Sequence, residues 1–323
     1  MNVLLIGLGR WGKNHLKALS SLVDELYVAD SDPKQLASCE EFSIPSDHLS
    51  TDYRDFLDRV DGVDVVTPAD GHRAICLDCI ERGKDVFVEK PISLTSAEAR
   101  EMTSQANQRG LILQVGHIYR YHPASLKIKQ LIEDGRLGTT QYAYGHFMGF
   151  KRPRLDVGVT QTDAIHYFDL FDYIMGHPPQ AVMAVIRHCL DLSLDDTSMS
   201  VLEYGKRFVF IEVGCMPPEK RRDISIVGDR ASLYCDFAKN SLLMYENRHE
   251  KQEGRCVALE GEVSPISFNF QEPLKLELEA FLKSIKTRSK PLSDGEAGYR
   301  ALKIVEACYE SSRKGKRIEI NWD

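Results

Sequence analysis

The sequence predicts an α/β protein in two parts. One is a doubly wound parallel sheet over residues 1–119; the other is an α/β domain on a large, mostly antiparallel open sheet over 120–323. Three observations predict this. Strand-like runs alternate with helical runs of about a dozen residues near the start, as in βαβ units. The first strand breaks into a glycine-rich turn. From residue 139 onward strand-like runs follow one another directly, parted by Gly, Pro and Asn, as in an antiparallel sheet.

In order, NVLLIG (2–7) reads as a strand, and GKNHLKALSSL as a helix with Leu16, Leu19 and Leu22 at helical spacing. ELYVAD is the next strand, and DPKQLASCEEF a helix opened by Asp32 with Pro33 at its first position. GVDVVTPA, HRAICLDCIERG, KDVFVEKP, LTSAEAREMTSQANQRG and LILQVGH continue the alternation. In the second part HPASLKIKQLIEDGRLG reads as a helix. TQYAYGHFMGF, QAVMAVIRHC, SMSVLEYG, RFVFIEVGCM, RRDISIVGD, ASLYCDF, SLLMYE and RCVALEG read as strands. Among them DVGVTQTDAIHYFDLFDYIMG (156–176) is a helix after a glycine-containing turn, marked by Ile165, Phe168, Phe171, Tyr173 and Ile174. LKLELEAFLKSI and AGYRALKIVEACYESSRKG are closing helices.

With 323 residues, 43% of them hydrophobic and 28% charged, the chain has material for two cores. A net charge of −7 argues against a nucleic-acid partner. No apolar run approaches the ~18–20 residues of a membrane span and no export signal is apparent, so a cytoplasmic protein without a membrane partner is expected. The eight cysteines are scattered, and Cys76 and Cys79 form a CxxC inside a helix with no second pair at metal spacing. Reduced thiols, no metal and no disulfide are expected.

The turn after the first strand reads Gly7-Leu8-Gly9-Arg10-Trp11-Gly12, and Asp30 ends the next strand 18 residues after Gly12. Such a G-x-G-x-x-G between strand and helix, with an acid about 20 residues on, predicts a dinucleotide site. Gly7 allows the tight turn, Gly9 lets a pyrophosphate approach and Gly12 lets helix and strand pack closely. Asp30 suits the two ribose hydroxyls and repels a 2′-phosphate, so NAD is favoured over NADP. Val88-Glu89-Lys90-Pro91 falls at a strand's carboxyl end, where a lysine can hold a substrate hydroxyl and acidify it. From spacing alone it reads equally as a surface Glu-Lys pair before a turn. In the 156–176 helix Thr162, His166 and Asp169 fall at i, i+4 and i+7 on one face, with Asp163 a turn before His166. A histidine between carboxylates is a candidate base. Lys151, Arg152 and Arg154 put three positive charges just upstream, either to grip a phosphate or as a solvated loop.

GLGRWG, VAD, TPADGH, DVFVEKPIS and GHIYRYHP, in that order and spacing, resemble the Gfo/Idh/MocA oxidoreductases, a family that includes inositol dehydrogenases and UDP-sugar 3-dehydrogenases. The resemblance spans nearly the whole chain, and the EKP is its most specific element. It implies an N-terminal Rossmann domain, a C-terminal sheet that commonly joins subunits into a homodimer or homotetramer, and a Lys-Pro bond that is often cis. It further implies that Lys90 is catalytic. Thr67, Pro68, His72 and Glu89 would border a cofactor held by Gly7, Gly9, Arg10, Trp11, Gly12 and Asp30. Tyr119 and Arg120 would lie on the substrate side, together with Arg152, Arg154, His166 and Asp169.

The family shows D-x-x-x-H-x-x-D where this chain has Thr162, His166 and Asp169, with Asp163 displaced by one residue. Either Asp163 substitutes through a local adjustment, or Thr162 and water complete a proton relay. The expected reaction is oxidation of a sugar hydroxyl, His166 taking its proton and Lys90 holding its oxygen, in a crevice between the domains. The linker and the Val157-Gly158-Val159 run look closest to the UDP-N-acetylglucosamine 3-dehydrogenase branch. An inositol, free-sugar or sugar-phosphate dehydrogenase, or a non-catalytic NAD-binding relative, stays open.

Overall fold

The computed structural model describes residues 1–153, 156–190 and 193–322. It has two compact units, the first made of Met1–Tyr121 with Glu272–Leu302, the second of His122–Gln271 with the chain from Lys303 on. The first unit is therefore discontinuous, where the sequence led us to expect a single division after residue 119.

Its sheet contains β1 (Asn2–Ile6), β2 (Glu25–Ala29), β3 (Leu49–Ser50), β4 (Gly62–Val65), β5 (Asp85–Val88) and β6 (Leu113–Val115), in the order β3-β2-β1-β4-β5-β6. All pairs are parallel. This is the doubly wound order whose ligands lie beyond the strands' carboxyl ends. Both faces are covered, which is why β1 is apolar at consecutive positions: Val3, Leu4 and Leu5 are all buried. Helices α1 (Gly12–Leu19), α2 (Pro33–Leu36), α3 (Ala69–Glu81) and α4 (Ser96–Gln108) make the crossovers. Thr95 and Glu98 form a capping box that opens α4.

Helix α2 starts as expected, with Asp32 accepting from Lys34 N–H, but its α-turns end at Leu36 and Ala37–Phe42 tightens to 3₁₀. The Ser38 hydroxyl donates to Gln35 O (2.7 Å), a local bond that competes with the α pattern. Cys76 and Cys79 are buried on α3, and burial pushes both thiol pKa values up.

The second unit is built on β7 (Thr140–Met148), β8 (Ala181–Arg187), β9 (Thr197–Tyr204), β10 (Arg207–Gly214), β11 (Arg221–Gly228), β12 (Ser232–Asp236) and β13 (Ser241–Tyr245). A separate hairpin follows, β14 (Arg248–Gln252) with β15 (Arg255–Leu259), and then β16 (Val263–Pro265) and β17 (Ile318–Glu319). The nine-stranded sheet runs β16-β13-β12-β11-β7-β10-β9-β8-β17 and is antiparallel except between β7 and β10. Helices α5 (Pro123–Glu133) and α6 (Ile165–Met175) belong to this unit. Alternate residues of β8 and β9 are buried, and the others carry an exposed apolar face with Met183, Val185 and Met199.

The last helices are α7 (Pro273–Thr287) and α8 (Gly295–Lys314). Leu274, Leu278 and Phe281 of α7, at i, i+4 and i+7, join the core of the first unit, Phe281 meeting Phe87 edge to ring at 5.8 Å. That stripe needs an apolar partner, which is why the first unit includes a helix from the far end of the chain. Among the described residues no helix is long and apolar enough to cross a membrane.

Candidate functional site

In the first unit the glycine loop joins β1 to α1. Gly7 has φ +99°, and a Cβ there would stand 2.7 Å from Val66 O. At Gly12 a Cβ would lie 2.1 Å from Gly7 O, so the helix start packs directly on the turn. Gly9 faces open space, with nothing within 4 Å of an added Cβ. Two glycines thus serve the chain's own packing and the third leaves its backbone open to a ligand. Asp30 stands beside this loop at the end of β2, its Oδ2 accepting from Leu8 N–H (2.6 Å) and its Oδ1 from Asp32 N–H (2.9 Å). Each oxygen keeps a second lone pair for a ribose hydroxyl. Arg10 and Trp11 are exposed at the loop tip. These features fit NAD: a cradle with room for a pyrophosphate beside an oriented carboxylate.

Glu89 and Lys90 follow directly on β5, and the Lys90-Pro91 bond is cis. Glu89 Oε1 accepts from Trp11 Nε1–H (2.8 Å) and pairs with His15 Nε2 (3.2 Å), while Oε2 accepts from Lys90 N–H (3.1 Å). His15 Nδ1 lies 2.8 Å from Asp64 Oδ2 on β4. A Cβ on Gly116 would come within 2.8 Å of the Glu89 carboxylate, so that glycine makes room for it. His72 joins two turns, its ring nitrogens 2.8 Å from Pro91 O and from Thr67 O. Thr67 is half-buried and Pro68 exposed. Tyr119 is half-buried in the Ile118–Tyr121 turn. Arg120, expected to face substrate, is buried and donates from Nη1 to Leu292 O (2.9 Å).

Sequence reasoning missed His15 and Asp64. Asp64 had a readable signal, since a carboxylate in the apolar strand GVDVV needs a buried partner.

In the second unit the helix expected over 156–176 is not α-helical throughout. Thr160–Ala164 is π-helical and the α-helix begins at Ile165, so Thr162 and Asp163 follow a wider turn than His166 and Asp169. Asp195 anchors that turn: its Oδ2 accepts from Thr160 N–H (2.8 Å) and Thr160 Oγ1–H (2.7 Å), and its Oδ1 from the Tyr309 hydroxyl (2.7 Å). Gly158 lies so close that a Cβ would overlap the Asp195 carboxylate.

Thr162 gives both its N–H and its hydroxyl to Gly158 O, each at 3.0 Å. The buried Asp163 pairs with Lys151 Nζ at 2.5 Å. His166 stacks on Phe147, ring centroids 5.3 Å apart and planes 21° apart. The same ring carries the Arg222 guanidinium at 3.6 Å and Lys151 Nζ at 5.5 Å. Asp169 is buried on α6, and Arg152 is exposed. Arg154 lies outside the described residues. Arg222, on β11, and Asp195 carried no sequence signal, because each acts on residues far away in the chain.

Comparison with known proteins agrees over both units. Residues 1–117 match the family model described as "Oxidoreductase family, NAD-binding Rossmann fold", and residues 129–320 its companion "Oxidoreductase family, C-terminal alpha/beta domain". The chain is 27% identical to UDP-N-acetylglucosamine 3-dehydrogenase of Acidithiobacillus ferrooxidans, over 94% of each. It is 24% identical to myo-inositol 2-dehydrogenase of Thermotoga maritima, over 99% of this chain and 98% of the relative. A solved structure of the Acidithiobacillus ferrooxidans enzyme superposes with a TM-score of 0.83, covering 97% of this chain and 98% of that one.

Proposed function

Because this chain belongs to the Gfo/Idh/MocA oxidoreductase family and is an NAD-dependent sugar-type dehydrogenase, we propose that it oxidises C3 of a UDP-linked aminosugar such as UDP-N-acetylglucosamine to the ketone. NAD, when bound, takes the hydride from the sugar carbon. His166 takes the hydroxyl proton as general base. The Lys90 ammonium donates to the same oxygen and offsets the negative charge that develops as the proton leaves. Glu89 fixes the main chain at Lys90, and this anchoring is the observation that carries the assignment.

For the base, Asp163 supplies the carboxylate near His166 and Thr162 is a structural member of the π-turn, since its hydroxyl already serves Gly158 O. Asp163→Asn should therefore lower kcat about tenfold or more, whereas Thr162→Ser, which keeps the hydroxyl, should leave it within about threefold.

The nucleotide-sugar reading is supported by the positive charge around His166 in a protein of net charge −7. Lys151 is engaged by the Asp163 carboxylate; Arg222, on the ring that stacks against His166, donates from Nη1 to Met148 O and Arg221 O (2.6 Å each), neutral acceptors that leave its charge to a diphosphate. A second reading, oxidation of an inositol, is favoured by the similarly distant Thermotoga maritima relative. The test is NADH formation with UDP-N-acetylglucosamine beside myo-inositol, for wild type, Lys90→Ala and Arg222→Gln. Turnover of the UDP-sugar, lost in Lys90→Ala and with KM raised about tenfold or more in Arg222→Gln, supports the reading. Turnover of myo-inositol alone, indifferent to Arg222, replaces it.

We further propose that the protein is a homodimer or homotetramer joined through the open face of the nine-stranded sheet. Tyr142, Met183, Val185, Met199, Phe208 and Phe210 are all exposed on its strands.

A further inference from the structure

The line Asp64–His15–Glu89 is a deeply buried charged cluster in the first unit, of which the proposed reaction uses only Glu89. His15 and Asp64 are 0% exposed and Glu89 8%. Three elements meet there: α1, which starts from the cofactor loop, β4, and the end of β5 that carries Lys90. Such a cluster is weak evidence for stability, since apolar side chains of the same volume usually do as well. Its geometry instead fixes one group. Glu89 is held by donors from the loop (Trp11), from the helix (His15) and from the peptide it orients (Lys90), while Gly116 leaves the space it occupies. Asp64 supports the far side of the imidazole, and its Oδ1 has no hydrogen-bond partner, so its one such bond is to His15.

We propose that His15 is a positioning residue, which sets the Glu89 carboxylate and through it the main chain of Lys90, and so links the cofactor loop to the lysine that acts on the substrate. The inference rests on the reading of Lys90 as catalytic. Both ring nitrogens face carboxylates, Asp64 from β4 and Glu89 from the end of β5, and Phe87 of β5 covers the ring edge at 5.7 Å. Burial opposes a charge on His15, but the two carboxylates outweigh it and raise the pKa to about 10.

Two measurements test this. The first needs no change at the site. Trp11 lies edge-on to His15, ring centroids 6.1 Å apart, and Trp322 is the only other tryptophan. In a Trp322→Phe background, Trp11 emission should stay flat from about pH 6 to about pH 9, because the neighbouring imidazolium does not titrate there. A transition centred near about pH 6.5, the value of a free histidine, would overturn the proposal.

The second is a cycle of His15→Gln, Glu89→Gln and the double variant, read as kcat, sugar KM and NAD Kd. A misplaced lysine predicts kcat lower by about a hundredfold, with KM and Kd within about threefold, and a double variant no worse than the weaker single. A His15→Gln enzyme that melts earlier but keeps its kcat has lost only structure, and effects that multiply mean His15 does not act through Glu89. Either result rejects the idea, and the emission titration decides if the variants do not fold. Activity retained in Lys90→Ala would instead reject the catalytic reading of that lysine, while the Trp11 titration would still report on His15 between its two carboxylates.

Discussion

Gly9 and Gly12 belong to one loop, yet replacing them should have opposite consequences. A Cβ at position 12 would run into the Gly7 carbonyl, O at 2.1 Å and C at 2.9 Å, so Gly12→Ala should cost about 2 kcal/mol or more in a urea melt through forced backbone movement. At Gly9 an added methyl meets no protein atom within 4 Å. Gly9→Ala should therefore leave the melt nearly unchanged while weakening NAD binding about tenfold or more, as read by calorimetry. His15 gives a residue-scale expectation of another kind. Its pKa rises from about 6.5 unfolded to about 10 folded, so the folded state binds the extra proton. That stabilisation is complete below about pH 6.5, declines as pH rises, and is gone above about pH 10. A His15→Gln variant should lose this alkaline slope in urea melts run at stepped pH.

At the scale of elements, the π-turn and its anchor are the informative feature. The periodicity of 156–176 is that of a helix, and α6 is one, but i, i+4, i+7 spacing assumes α geometry throughout. Asp195 is 35 residues from Thr160, and no local pattern announces that its carboxylate grips Thr160 at the start of this turn. Asp195→Ala would leave the Thr160 N–H, the Thr160 hydroxyl and the Tyr309 hydroxyl without their acceptor. A loss of about 3 kcal/mol in a urea melt is expected, together with lower kcat from a displaced His166, and Asp195→Asn should recover part of both. The strands were legible for a simpler reason. Burial on both faces gives β1 its unbroken apolar run and burial on one face gives β8 and β9 their alternation, so the pattern carries the environment.

For the whole molecule, the open face of the nine-stranded sheet should decide the assembly. Met199 and Phe210 are about half exposed, at 52% and 46%, on the neighbouring strands β9 and β10. Placing Glu at both positions should yield a folded monomer in analytical ultracentrifugation, because charge on an apolar contact face costs its desolvation. The division into units also belongs to this scale. α7 follows β16 of the second unit in sequence but packs its Leu274, Leu278 and Phe281 stripe into the core of the first. An amphipathic helix states that it needs an apolar partner without saying which one.

The βαβ alternation, the glycine cradle with its acid, the Glu-Lys-Pro after a strand and the histidine on a helix were all legible in the chain. Each of these is encoded in neighbouring residues, as a period, a turn or a cap. Folding alone reveals that α7 completes the first unit, that the turn before α6 is π-helical, that Asp163 pairs with Lys151, and that His15 stands between Asp64 and Glu89. The reason is physical. A buried charge or an apolar stripe must find a partner, but local sequence specifies only the need, and the partner is chosen by which distant residues the packed core brings within hydrogen-bonding reach.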